Sequence, residues 1–107
     1  DLDLVYAGSA AHNRAVAAFC EHDQRLLPVA WIPLDDTERA VTLLGEALDL
    51  GCAAIHVPST AAGTRAPTHP DLDRFWATLA ASDVPFVLHI GGGGRLLDRA
   101  FHDTGVP

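Results

Sequence analysis

Apolar positions recur along this chain with two different periods, and their alternation predicts the fold. From Ser9, read as an N-cap, Ala11, Ala15, Val16, Ala18 and Phe19 form a stripe at helical spacing. Residues 25–32 follow as a nearly continuous apolar run, expected to be a buried strand, with Pro28 near its start because a central strand needs its amides. A second helix is capped by Asp35, with Glu38 as its box-like partner. Ala40, Leu43, Leu44, Ala47 and Leu48 then keep the i, i+3, i+4, i+7, i+8 stripe, and Gly51 stands where a C-terminal left-handed glycine belongs. Residues 52–57 predict a second strand and residues 58–69 a loop rich in Ser, Thr, Gly and Pro. Pro70 opens a third helix whose face is Leu72, Phe75, Trp76, Leu79 and Ala80. Residues 84–90 predict a third strand, ended by the glycine run 91–94, and residues 95–101 the start of a fourth helix.

Helix alternating with apolar strand means βαβ units and a parallel sheet, so the fold class is α/β. Parallel strands want both faces covered, which fits strands that are apolar almost throughout. A (β/α)₈ barrel takes about 250 residues, so 107 residues would supply about three of its eight βα units. There is no methionine in the chain, which adds to the expectation of a piece of a longer polypeptide.

Composition narrows the function classes. At 49% hydrophobic and 20% charged, the chain is globular rather than disordered or fibrous. The net charge of −7 comes from fourteen acids against seven arginines and no lysine, so nucleic acid and anionic membrane are excluded as main partners. The longest nearly apolar run, residues 26–34, is nine residues with two prolines, too short to cross a bilayer. Cys20 and Cys52 show neither CxxC nor zinc-finger spacing, and free thiols in a reducing, cytoplasmic setting are expected.

Ligands of parallel sheets and barrels meet the carboxyl ends of the strands. That rule selects residues 31–33, 56–58 and 89–91. His89 is the only ionisable residue of its strand, and four glycines follow it, where a substrate or metal can approach the backbone without meeting a Cβ. An imidazole there suits a metal ligand or general base, and equally a core histidine bonded to carbonyls. His56 is a substrate-binding candidate, set against the plainer reading that alternation turns it toward the helices. Arg65 in the loop and Arg95 past the glycines could each pair bidentately with a carboxylate, or each be a solvated surface arginine. His12, His22, His69 and His102 read as solvated or capping, and no Cys–His nucleophile pair is supported.

Asn13 with Ala17 and Phe19, Asp23-Gln24-Arg25-Leu26, Ile32-Pro33-Leu34, Glu38-Arg39-Ala40-Val41, Leu50 to Ile55, Asp71 to Trp76 and Val84 to His89 keep an order and spacing over nearly the whole chain. Together they resemble the metal-dependent amidohydrolase superfamily, amidohydrolase type 2, and within it the branch of aminocarboxymuconate-semialdehyde decarboxylase and γ-resorcylate decarboxylase. The resemblance implies that residues 1–107 are the central portion of a barrel, with strands near its third, fourth and fifth. It implies one divalent metal, zinc or in some cases manganese, held by an HxH or ExH pair, a fifth-strand His and a distant Asp. Only the fifth-strand His maps onto this chain, at His89. The four glycines after it depart from the bulky residues of some decarboxylases.

Such a metal lowers the pKa of its bound water and polarises a carbonyl or carboxylate. The implied reaction is decarboxylation of a small carboxylated unsaturated or aromatic compound, with hydrolysis of lactone or amide bonds as the alternative. The expected partner is a small-molecule substrate, with a homodimer open. Against the enzyme stands a non-enzymatic α/β module binding a phosphorylated ligand at Gly91-Gly92-Gly93-Gly94, although that run lacks a P-loop ending.

Overall fold

The computed structural model describes residues 1–89 and 99–106, with the backbone alone at His89 and Phe101. Three helices, α1 (Leu2–Cys20), α2 (Thr37–Asp49) and α3 (Asp73–Ala81), alternate with three strands, β1 (Val29–Trp31), β2 (Ala54–Pro58) and β3 (Phe86–His89). A 3-10 turn, Pro70–Leu72, leads into α3, and another spans Arg99–His102. The expected fourth helix lies for the most part on residues outside the described ones. Among the described residues no helix is long and apolar enough to cross a membrane.

The strands form one open parallel sheet in the order β1-β2-β3, as the βαβ pattern requires. This arrangement is compatible with consecutive units of a (β/α)₈ barrel. Ala30, Ile32, Ile55 and Val57 point to one face and share a single buried cluster with Leu43, Leu44 and Ala47 of α2 and Phe75 and Leu79 of α3. The sheet is least covered at β3, on both faces. Phe86 and Leu88, in register with Ile55 and Val57 on the helix side, and Val87, in register with His56 on the other, are all exposed, Leu88 at 60%.

The strands are shorter than their apolar runs. Residues 25–27 leave the expected first strand because Asp23 captures them in a turn, accepting the Arg25 N–H at 2.9 Å and pairing with its guanidinium at 2.6 Å. Pro28, with no N–H, sits just ahead of β1 and offers only its carbonyl, to Ala53 N–H at 2.8 Å.

The first helix differs most from expectation. It begins seven residues before Ser9, at Leu2, with Asp1 as its cap accepting the Asp3 N–H. Its buried face is Tyr6, Ser9, Asn13 and Ala17, while Ala11, Ala15, Ala18 and Phe19 are exposed. Ser9, expected as the N-cap, is interior and donates its hydroxyl to the Val5 carbonyl one turn back at 2.8 Å.

The second helix is capped by Asp36, one residue later than expected, through a bond from Arg39 N–H at 3.0 Å. Glu38 therefore cannot close a capping box and pairs across to Arg74 of α3. The predicted stripe of α2 is otherwise realised, and Gly51 ends it with φ +77°. In α3, Leu72, Phe75 and Leu79 are buried as expected, Trp76 is half-buried and Ala80 is exposed. Asp83, at φ 56°, makes the left-handed exit from this helix without the help of a glycine.

Candidate functional site

Alternation along β2 decides where His56 stands. Its neighbours Ile55 and Val57 are fully buried against the helices, so His56 belongs to the opposite face, away from α2 and α3. The expectation that it turns toward the helices is corrected by that packing. In β1, Trp31 alternates in the same way with buried Ala30 and Ile32. Trp31 and His56 are partners in the parallel register, and their rings meet edge to face with centroids 4.7 Å apart. The register continues across the sheet, pairing His56 with Val87 and Pro58 with His89. The backbone of His89 thus lies at the carboxyl end of β3, two positions beyond the level of His56. Its side chain, like Arg95 and the glycine run 91–94, lies outside the described residues.

Among the described residues two loops leave this end of the sheet. The first, after β1, is gripped by α1. Tyr6 Oη accepts the Asp36 N–H at 3.0 Å and donates to the carbonyl of Asp36 at 2.9 Å or of Pro33 at 3.0 Å. Burial pushes the Tyr6 phenol above its ordinary pKa; the backbone bond to Asp36 and nearby Arg39 oppose the shift, while Asp35 and Asp36 add to it.

The second loop, after β2, doubles back at a tight turn in which Ala62 and Arg65 exchange backbone bonds of 2.8 and 3.0 Å, with Gly63 at φ +61°. The Arg65 side chain, 22% exposed, is neither solvated nor turned to the sheet face. Its Nη1 donates to Asp71 Oδ2 and its Nη2 to the Asp35 carbonyl, both at 3.0 Å. The carboxylate that Arg65 meets belongs to the protein itself. His69 caps the following turn, its Nδ1 accepting the Asp71 N–H at 3.1 Å, so the capping expected of it is observed. His12, His22 and His102 are exposed.

Asp71 is the residue that sequence reasoning passed over. Its carboxylate takes Arg65, its N–H goes to His69, and its carbonyl accepts the Thr37 hydroxyl at 2.9 Å. No periodicity links these positions, which lie on a loop, a 3-10 turn and the first residue of α2. Cys52 is buried, and burial, with Cys20 adding to it, pushes its thiol up; that is the opposite of an activated nucleophile.

The model of the amidohydrolase family matches residues 3–106. The chain belongs to the amidohydrolase family. No curated protein and no solved structure matches it. Membership gives the broad class, a metal-dependent hydrolase-like enzyme, as the residue pattern implied. An amidohydrolase usually takes a divalent metal, and the residues in hand can be tested against that. Among the described residues no group of three or more His, Cys, Asp or Glu is placed to hold a metal ion. These residues alone therefore do not make a donor set, and no step of a reaction can be built on a metal within them.

Proposed function

We propose that this amidohydrolase acts on a small carboxylated compound with a planar unsaturated or aromatic body, and that the reaction is loss of CO₂. The observation that carries this reading is the Trp31–His56 pair on the face of a parallel sheet turned away from α2 and α3, near the carboxyl ends of its strands. An indole beside an imidazole offers a planar substrate an apolar surface with a polar edge. In this reading His56 contacts the substrate and His89 is the chain's contribution to a divalent metal, zinc or manganese. Arg95 is the cation offered to the substrate carboxylate, since Arg65 already pairs with Asp71.

Hydrolysis of a lactone or amide is the second reading, and family membership itself favours it. A panel assay on the metal-loaded protein separates the two, reading CO₂ evolution and acid release in parallel. CO₂ from carboxylated rings or dienes supports the first reading. Turnover of lactones or amides without CO₂ from any carboxylated compound transfers the protein to the second.

A further inference from the structure

The loops after β1 and β2 are separated by a whole helix in sequence, yet one side chain joins them. Arg65 reaches from the second loop to the Asp35 carbonyl in the first, and with its other nitrogen to Asp71 at the entrance to α3. Thr37, the first residue of α2, reinforces the same junction by donating to the Asp71 carbonyl. A guanidinium suits this post because its planar fork can serve two acceptors in different directions at once. We propose that Arg65 and Asp71 form a latch that holds the two strand-end loops at a fixed separation and so sets substrate affinity. Arg65 is then a positioning residue, not a ligand of the substrate. The functional half of this inference rests on the strand-end site proposed above.

R65Q removes the ion pair and the bond to the Asp35 carbonyl together, whereas D71N removes the ion pair alone, so the double variant has nothing to lose beyond what R65Q has lost. R65Q is expected to raise KM for a turned-over substrate about tenfold, the worth of one charge-assisted hydrogen bond, and D71N by less, each with a smaller change in kcat. The double variant should match R65Q rather than multiply the singles. R65K should recover little of the loss, since an ammonium can meet Asp71 without also reaching the Asp35 carbonyl, the bond that crosses between the loops.

Hydrogen exchange at the Ala62 and Arg65 amides, and across residues 33–37, supplies a readout independent of turnover. Exchange should quicken in both loops in R65Q and, to a smaller extent, in D71N. Normal KM in D71N, beside an R65Q defect confined to carboxylated substrates, would overturn the latch and make Arg65 a direct substrate contact. Unchanged exchange in both variants overturns it as well. A wild-type protein that turns over nothing in the panel sinks the strand-end reading, while exchange in the variants still decides the latch.

Discussion

Asn13 of α1 bonds both backbone groups of Trp31, its Oδ1 accepting the N–H at 2.8 Å and its Nδ2 donating to the carbonyl at 3.0 Å. A side-chain amide carries one acceptor and two donors, so it can stand in for the backbone of a neighbouring strand. Among the described residues, the edge of β1 away from β2 would otherwise present these groups unpaired. Asn13 closes it from a helix, at a position only 1% exposed. The same two bonds hold Trp31 beside His56 and thereby tie the edge of the sheet to the candidate site.

Replacing Asn13 by Ala leaves the Trp31 N–H and carbonyl without partners in a buried setting. The expected cost is about 2–4 kcal/mol, from two lost bonds and the desolvation they no longer offset. Asn13→Asp should be no better at neutral pH, because a carboxylate cannot donate to the carbonyl and its charge would be buried. Chemical denaturation of the three proteins measures this. A loss under 0.5 kcal/mol for Asn13→Ala, the range of an ordinary surface change, would show that the edge is satisfied in another way.

Tyr6 gives the fold an alkaline limit. Its folded pKa lies above the ordinary phenol value, chiefly through burial. A group with a raised folded pKa contributes stability that is complete below the unfolded pKa and is lost as pH rises through the folded one. Stability should therefore decline from about pH 10 upward, where the unfolded phenol ionises first. Tyr6→Phe removes this contribution and the grip on Asp36, costing about 1–2 kcal/mol at neutral pH. Denaturation midpoints across pH 7–11 test both, and an equally steep alkaline decline in the Phe variant would assign the effect to another group.

How far the fold can be read from the residues depends on what each buried face is made of. The α2 stripe is wholly apolar, and it appears in the structure as its spacing predicts. The buried face of α1 includes Ser9 and Asn13, whose polar atoms are paired with backbone, so an apolar count chose the wrong side. Asp35 and Asp36 are equivalent caps by pattern, and Tyr6, thirty residues away, holds Asp36 in that place. Period-two alternation gives His56 a parity but no face. Only the packing of Ile55 and Val57 against the helices assigns one. The Arg65–Asp71 pair has no pattern at all, being a meeting of a loop with the start of a 3-10 turn.

Asp83 leaves α3 in the left-handed region at φ 56°. Aspartate tolerates this conformation better than most residues, yet glycine enters it without meeting its own Cβ. Asp83→Gly is expected to gain about 0.5–1 kcal/mol, the strain relieved less the extra entropy of the unfolded glycine. Thermal melts decide it, and a clear loss would reveal that the Asp83 carboxylate has a stabilising role of its own.

His56 and His89 should separate cleanly in their effects, because the register sets them at different levels of the sheet. His89→Ala is expected to lower metal content after dialysis well below stoichiometric, through removal of one of about four ligands. His56→Gln should keep its metal and lose affinity for substrate about tenfold, the worth of one hydrogen bond to a charged group. Glutamine preserves a polar tip but gives up the ring that packs against Trp31, so Trp31→Ala should weaken binding in the same direction. Metal analysis of the dialysed variants, followed by steady-state kinetics, tells the roles apart. Loss of metal in His56→Gln would move that residue into the ligand set, and full metal retention with normal turnover in His89→Ala would remove His89 from it.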